Sequence, residues 1–255
     1  MKIALVQTDN AWEQIAKNLR RFTEKLDMVD ADADLILLPE LFTTGFTMEG
    51  ENVSETMEGN GVRWMLEQAR LRNFVLAGSL LIREEGSFFN RLCIAFPDGE
   101  LKYYDKRHLF SFAGEDKVFK AGAERLVFEH KGFRICPLIC YDLRFPVWSR
   151  NTEAFDLLLY VANWPNARML AWDSLLRARA IENLCYVAAV NRVGQDQNNL
   201  FYTGHSAVFD AMGCQLLEFE EGKEAIGHIT IHKDHIAEVR NKFRFLEDRD
   251  SFRIL

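Results

Sequence analysis

Glu40, Lys106 and Cys140 each stand where a predicted β-strand has just ended. Open α/β folds bind their ligands in the crevice at the carboxyl ends of the strands. A carboxylate, an ammonium group and a thiol at three such ends could therefore meet in one pocket. These residue types would together be sufficient for nucleophilic catalysis.

The chemistry of such a pocket would be attack on a carbonyl carbon. Glu40 would remove the thiol proton as a general base, and Cys140 would attack as the nucleophile. Lys106 and the backbone N–H of Tyr141 would stabilise the oxyanion, where one donor is typically worth about 3 kcal/mol.

Each of these three residues also has an ordinary structural interpretation. A cysteine in an apolar run is usually a small hydrophobic residue. A glutamate at a strand end is usually solvated or caps a helix, and a lysine near a tyrosine-rich strand usually protects a sheet edge. Residue type and position alone leave both interpretations open.

Short apolar strands alternate with amphipathic helices along the chain. Asn10 is a candidate N-cap for a helix that ends near residue 26. Two sets of β-α-β units with added hairpins predict an α/β fold with one or two mixed sheets and helices packed outside. No low-complexity linker divides the sequence, so a single domain is expected over residues 1–255. The predicted strands cover 2–7, 34–39, 74–82, 88–96, 101–104, 126–129, 133–139, 156–161, 186–191, 206–210, 215–219 and 226–231, and the further helices 60–72, 168–183 and 234–241.

Composition excludes several classes of function. The 255 residues are 48% hydrophobic and 27% charged, with a net charge of −7 and no basic block, so binding to nucleic acid or to an anionic membrane is not expected. Asp9 ends the first apolar run too early for a signal peptide, and the longest apolar stretches have only strand length. The five cysteines form no C-x-x-C pair, which favours a reduced, cytoplasmic protein without a zinc site.

Five segments occur in order along the chain, at 37–40 (LLPE), 104–110 (YDKRHLF), 138–146 (LICYDLRFP), 177–183 (RARAIEN) and 191–194 (NRVG). Together they resemble the signatures of the nitrilase superfamily, the carbon–nitrogen hydrolases. This resemblance implies a four-layer αββα sandwich with two mixed β-sheets, commonly paired into a homodimer. It also implies hydrolysis of a non-peptide C–N bond through a cysteine thioester, without a metal or an organic cofactor.

The resemblance assigns roles by position. Glu40 is implied as the base, Lys106 as the stabiliser of the oxyanion and Cys140 as the nucleophile. The family often has a second glutamate between the lysine and the cysteine, which would orient the substrate or the deacylating water. Glu115 matches this position best, and Asp116 is the rival.

Residues 163–165 (NWP) and the segment around the cysteine are most similar to the omega-amidase branch. Enzymes of that branch hydrolyse the terminal amide of 2-oxoglutaramate and 2-oxosuccinamate. A narrow pocket for such a small amide could be walled by Phe46, Phe112 and Trp164. Its distal carboxylate needs a cation, for which Arg107 and Arg168 are candidates.

Several other functions remain open at this point. A nitrilase, a carbamoyl-amine hydrolase and an aliphatic amidase would share the same catalytic residues and differ in the pocket walls. An acyltransferase would pass the same thioester to an acceptor other than water. A binding module that has lost its activity is disfavoured, because all three central residues are present.

The segment 107–124 has little periodicity and is long for a loop in a compact domain, which is typical of a functional lid. We predict that it covers the pocket and excludes water until acylation. Its backbone amides should then exchange faster than those of the core strands and gain protection when a substrate analogue binds. Hydrogen exchange read by mass spectrometry measures this. Protection equal to that of the core strands, with and without the analogue, would contradict the prediction.

Overall fold

Two six-stranded mixed β-sheets pack face to face in the computed structural model, which describes residues 1–253. The last two residues of the predicted domain, 254 and 255, lie outside this described part. The strands are, in chain order, β1 (Lys2–Gln7), β2 (Leu35–Leu37), β3 (Val75–Glu84), β4 (Ser87–Ala95), β5 (Leu101–Asp105), β6 (Phe128–His130), β7 (Phe133–Ile139), β8 (Leu157–Ala162), β9 (Tyr186–Asn191), β10 (Val193–Gln195), β11 (Phe201–Thr203), β12 (Ala207–Phe209), β13 (Gln215–Leu217) and β14 (Ala225–Thr230). The α-helices are α1 (Ile15–Leu26), α2 (Gly50–Val53), α3 (Asn60–Arg72), α4 (Glu115–Val118), α5 (Met169–Asn183) and α6 (Lys233–Phe243).

The two large sheets have related topologies. The first has the order β14-β1-β2-β3-β4-β5, with β1, β2 and β3 parallel and every other pair of neighbouring strands antiparallel. The second has the order β13-β12-β9-β8-β7-β6, with β7, β8 and β9 parallel. Helices α1 and α3 cover the outer face of the first sheet, and α5 and α6 pack on the second. The prediction of an αββα sandwich with two mixed sheets is confirmed.

The core lies between the sheets and under the helices. Ile3 and Leu5 of β1 face the second sheet, whereas Ala4 and Val6 face the helices on the other side. Strands covered on both faces are apolar at every position, which is why these strands stand out in the sequence as short continuous hydrophobic runs.

The topology brings four strand ends to one edge of the sandwich. Strand β5 runs in the same direction as β3, because two antiparallel pairings separate them. The carboxyl ends of β2 and β5 in the first sheet and of β7 and β8 in the second therefore face the same crevice. Glu40, Lys106, Cys140 and Asn163 follow these four ends in that order.

The start of the first helix was predicted wrongly. Helix α1 begins at Ile15, and Asn10 is a buried residue that does not cap it. Glu13 has a left-handed backbone with φ of 54°, which interrupts the helical pattern before the helix begins. The Asn18 side chain holds the preceding turn by bonding the N–H and the carbonyl of Ala11. Trp12 therefore lies in the irregular segment before the helix and not within it.

The sequence did not predict the β10–β11 hairpin, α2 or α4, which are all short. Within residues 1–253, none of the helices combines the length and the apolar character needed to cross a lipid bilayer.

Candidate active site

A cavity of about 610 Å³ opens at the shared strand edge. Lys106, Cys140 and Asn163 form part of its wall. Aromatic side chains supply much of the remaining surface. They are Trp12, Phe46, Phe110, Tyr141, Trp164 and Tyr202.

Cys140 occupies a strained turn at the end of β7. Its φ of 42° lies in the left-handed region, which is unfavourable for a residue with a side chain. The chain then continues as a 3₁₀ helix over Cys140–Arg144. This turn places the thiol at the cavity wall with 8% of the residue exposed. The N–H of Tyr141 is in the first turn of that helix, where backbone donors have no partner within the helix.

Asp142 ties this turn to the segment that carries the lysine. Its buried carboxylate accepts hydrogen bonds from the N–H of Ile139 at 3.0 Å, from the Tyr104 hydroxyl at 2.8 Å and from the N–H of His108 at 3.0 Å. Ile139 precedes Cys140, and Tyr104 and His108 flank Lys106 by two residues on either side. Asp142 thus fixes the nucleophile and the lysine relative to each other.

Lys106 lies between two carboxylates. Its Nζ is 2.8 Å from Glu40 Oε1 and 2.9 Å from both carboxylate oxygens of Glu115. All three side chains are 0% exposed. Buried charges are stable only when they are paired and hydrogen-bonded, so the three residues form one unit.

Two asparagines complete the hydrogen bonding of Glu40. Asn90 Nδ2 donates to Glu40 Oε1 at 2.8 Å and to Glu115 Oε1 at 3.3 Å. Asn163 donates twice, from its backbone N–H to Glu40 Oε2 and from Nδ2 to the Glu40 main-chain oxygen, both at 2.8 Å. The Cys140 Sγ lies 3.9 Å from the main-chain oxygen of Asn163. These bonds hold the carboxylate of Glu40 beside the thiol.

Burial and charge set the protonation of the site. Burial raises the pKa of the Cys140 thiol well above its ordinary value, the Glu40 carboxylate raises it further, and Lys106 opposes both without reversing them. Burial lowers the pKa of Lys106, but Glu115 and Glu40 outweigh burial and raise it overall. Burial also raises the pKa of Glu115, against the effect of Lys106. The resting site therefore holds a neutral thiol next to an ammonium group.

The segment 107–124 closes over this unit. It contains a 3₁₀ turn at Ser111–Ala113 and helix α4, which begins at Glu115. Gly122 donates its N–H to the Lys106 carbonyl at 2.9 Å, so the segment leaves and returns beside the lysine. A Cβ at Gly122 would lie 2.3 Å from the Asp105 carbonyl oxygen, which explains the glycine. Phe110 and Ala113 contribute to the cavity wall, and opening of the segment stays a prediction.

The structure distinguishes between the two acidic candidates in this segment. Glu115 is buried, bonds Lys106 and accepts the N–H of Phe110 at 2.5 Å, whereas Asp116 is exposed. Since both carboxylate oxygens of Glu115 are occupied in this way, Glu115 holds Lys106 and the start of the lid in place. Direct contact with a substrate, which the family resemblance implied, does not follow from this geometry.

Two arginines in the cavity wall have no carboxylate within ion-pair distance among the described residues. Arg144 lies with its guanidinium carbon 4.9 Å from the centroid of the Trp164 ring, and Arg168 lies 4.9 Å from that of Phe110. Arg91 and Arg192, by contrast, pair with carboxylates.

Three of the five predicted pocket residues, Phe46, Trp164 and Arg168, line the cavity, and the other two predictions are wrong. Phe112 is 86% exposed, because the 3₁₀ turn directs it outward, whereas Phe110 and Ala113 line the cavity. Arg107 donates to the Gly122 carbonyl at 3.1 Å and lies over the Trp148 ring, outside the cavity.

The sequence analysis missed several residues of this site. Arg144 lies four residues after Cys140, within the segment 138–146 that resembles a family motif, but the sequence analysis gave it no role in the pocket. Asn90 lies in the middle of β4, where nothing marked it as more than a strand residue. Trp12 and Tyr202 come from an irregular segment and from the unpredicted hairpin. Among residues 1–253, no group of His, Cys, Asp and Glu side chains is placed to hold a metal ion.

The sequence is similar to those of known proteins over nearly its whole length. Residues 2–241 match the model of the family described as carbon-nitrogen hydrolase. The chain is 42% identical to omega-amidase YafV of Escherichia coli (strain K12), over 100% of this chain and 98% of that protein. It is 34% identical to 2-oxoglutaramate amidase of Bacillus subtilis (strain 168), over 96% of each chain.

Two solved structures also resemble this chain over nearly its whole length. A CN-hydrolase superfamily protein of Xanthomonas campestris, with an arsenic adduct in its active site, is 47% identical with a TM-score of 0.97, over 100% of this chain and 98% of that one. An amidase from Nesterenkonia sp. AN1 is 25% identical with a TM-score of 0.83, over 96% of this chain and 98% of that one. That structure shows Michael addition of acrylamide at the active site cysteine.

We predict that Cys140 stays protonated up to pH 9.0, the ordinary pKa of a thiol, because burial and Glu40 raise its pKa above that value. The measurement is the ultraviolet thiolate absorbance of wild type minus that of Cys140→Ala, titrated upward from neutral pH. The exposed Cys214 contributes to both proteins and cancels. An ionisation step near neutral pH in the difference would mean that the resting nucleophile is a thiolate, contrary to this prediction.

Proposed function

Because the chain belongs to the carbon–nitrogen hydrolase family, we propose that it hydrolyses the terminal amide of small 2-oxo dicarboxylic acid monoamides. 2-Oxoglutaramate and 2-oxosuccinamate are the substrates of this class, and the products are the dicarboxylic acid and ammonia. The family membership predicted from the sequence motifs is confirmed. The names of the relatives, omega-amidase and 2-oxoglutaramate amidase, support the substrate class.

The observation that carries the proposal is the position of Arg144 and Arg168 in the cavity of Cys140. A guanidinium binds a carboxylate through two parallel N–H donors. A short amide with a carboxylate at its other end could therefore place its amide carbon at the thiol while its charge is neutralised by the arginines. A simple aliphatic amide or nitrile would make no use of them.

Acylation follows from the contacts of Glu40. The Cys140 sulfur bonds to the amide carbon as its proton passes to the Glu40 carboxylate. The carbonyl oxygen becomes an oxyanion next to Lys106 and the N–H of Tyr141. The C–N bond then breaks as Glu40 returns the proton to the nitrogen, so that ammonia leaves and a thioester remains on Cys140.

Deacylation uses the same groups, with water as the nucleophile and the Cys140 sulfur as the leaving group. Glu40 takes a proton from a water molecule whose oxygen bonds to the thioester carbon. The second oxyanion is stabilised by the same donors as the first. The C–S bond breaks, Glu40 returns the proton to the sulfur, and the carboxylic acid is released.

We also propose that the protein acts as a homodimer in the cytoplasm. The family resemblance of the motifs supports the dimer. All five cysteines are free, as expected of a reducing compartment.

An ammonia-release assay tests the proposed function. 2-Oxoglutaramate, glutamine, a simple aliphatic amide and an aliphatic nitrile are compared with wild type and with Cys140→Ala. We expect turnover of 2-oxoglutaramate well above the others and none by Cys140→Ala. Glutamine is the informative competitor, because Glu13 and Glu49 also line the cavity and could bind its ammonium group. Preference for the nitrile or for glutamine would overturn the substrate class.

Substitution of the cavity arginines should weaken binding of the substrate carboxylate. We expect Arg144→Leu and Arg168→Leu each to raise KM for 2-oxoglutaramate about 10- to 100-fold, since a hydrogen bond to a charged group is worth about 1.5–3 kcal/mol. Steady-state kinetics measures this, and Arg107→Leu, outside the cavity, is the matched control that leaves KM unchanged. An unchanged KM in both cavity variants would refute carboxylate binding at this wall.

A further inference from the structure

A single tryptophan contacts both arginines of the cavity wall. Trp164 is 3% exposed and lies in that wall. The guanidinium carbon of Arg144 is 4.9 Å from the centroid of its ring, and its Nε1 donates to the main-chain oxygen of Arg168 at 2.9 Å. Arg144 ends the 3₁₀ helix that begins at Cys140, whereas Arg168 directly precedes α5. The indole therefore links the turn that carries the nucleophile to the start of that helix.

The main chain and the ring of Trp164 are both fixed. Asn191, at the end of β9, accepts the Trp164 N–H at 2.8 Å and donates from Nδ2 to the Trp164 main-chain oxygen at 2.9 Å. The ring packs against that of Trp172, with 5.4 Å between the two centroids. Asn191 and Trp172 are both 0% exposed. Trp164 is therefore a rigid surface on which other side chains can be ordered.

The two arginines need such a surface. An arginine side chain has many rotamers, and ordering it costs entropy that a binding site must offset. Guanidinium groups stack on aromatic faces, as Arg144 does on Trp164 and Arg168 on Phe110. Both arginines stay partly exposed, so that a carboxylate can still reach them. Charges that are ordered before the ligand arrives bind it more tightly, because less freedom is lost on binding.

We propose that Trp164 is a positioning residue that holds Arg144 and Arg168 as one carboxylate-binding wall. This inference rests on the proposed function and names the residue on which its preference for a distal carboxylate depends. The face of the indole supports the Arg144 guanidinium, and its N–H fixes the main chain from which Arg168 extends. The indole takes no part in bond making or breaking. Its loss should therefore weaken substrate binding and leave the chemical steps nearly unchanged.

A double-mutant cycle separates this role from a purely structural one. KM and kcat for 2-oxoglutaramate are measured for wild type, Trp164→Leu, Arg144→Leu and the double variant. We expect Trp164→Leu to raise KM about tenfold, as the loss of a desolvated cation–π contact implies, with little change in kcat. In the Arg144→Leu background the same substitution should raise KM at most about threefold, because only the contact to Arg168 is then left to lose.

Trp172 provides the matched control. Its Nε1 donates to the main-chain oxygen of His205 at 2.8 Å, and it is absent from the residues that line the cavity within the described part of the chain. Trp164→Phe and Trp172→Phe each remove one N–H from a main-chain oxygen and keep an aromatic ring. We expect Trp164→Phe to raise KM about threefold, through Arg168 alone, and Trp172→Phe to leave KM unchanged.

An equal rise in KM from Trp164→Leu with and without Arg144, or a loss confined to kcat, would overturn the proposal and leave Trp164 an ordinary core residue. If Trp164→Leu does not fold, as judged by circular dichroism, the two phenylalanine variants decide. Equal effects of Trp164→Phe and Trp172→Phe on KM would then overturn it.

Failure of the proposed substrate is a separate result, read from wild type alone. If wild type does not hydrolyse 2-oxoglutaramate, the same cycle is measured with another carboxylate-bearing amide that it does hydrolyse. Turnover only of amides that lack a carboxylate would overturn the role of Trp164 as well.

Discussion

Lys106 donates hydrogen bonds to two carboxylates that are closed off from solvent. Removing a charge from water costs several kcal/mol even after relaxation, and only close pairing offsets that cost. The cluster is satisfied by Lys106 between Glu40 and Glu115, with Asn90 and Asn163 as additional donors. Each residue comes from a different segment of the chain. The two sheets must therefore align their strand ends for the charges to be paired, and the same alignment forms the cavity.

The cluster also explains how a buried thiol can react. Burial and the nearby Glu40 carboxylate raise the pKa of Cys140, so no thiolate forms at rest. The same carboxylate is already in place to accept the thiol proton when the substrate binds. Charge moves from Glu40 to the carbonyl oxygen during attack. That movement brings negative charge to Lys106, whose high pKa keeps it charged throughout. Preorganised charge of this kind needs little rearrangement in the transition state. The strained backbone of Cys140 holds the sulfur where this transfer can occur.

The sequence predicted those parts of the site that follow from periodicity. Glu40 and Cys140 stood out because continuous apolar runs end just before them, and Lys106 because a predicted strand ends two residues before it. The strand order then brings those ends together. Phe112 was misplaced because an irregular segment has no period from which a side-chain direction could be inferred. The role of Asn90 depends on pairing between β4 and segments distant in sequence, and no local pattern records it.

The central claim is that Cys140 carries the acyl group during turnover. Wild type is mixed with saturating 2-oxoglutaramate, quenched in acid within the first turnovers and digested for mass spectrometry. The account predicts the 2-oxo acyl group, in thioester linkage, on the peptide that contains Cys140. An acyl group on another cysteine, such as the exposed Cys214, or steady ammonia release by Cys140→Ala would contradict it.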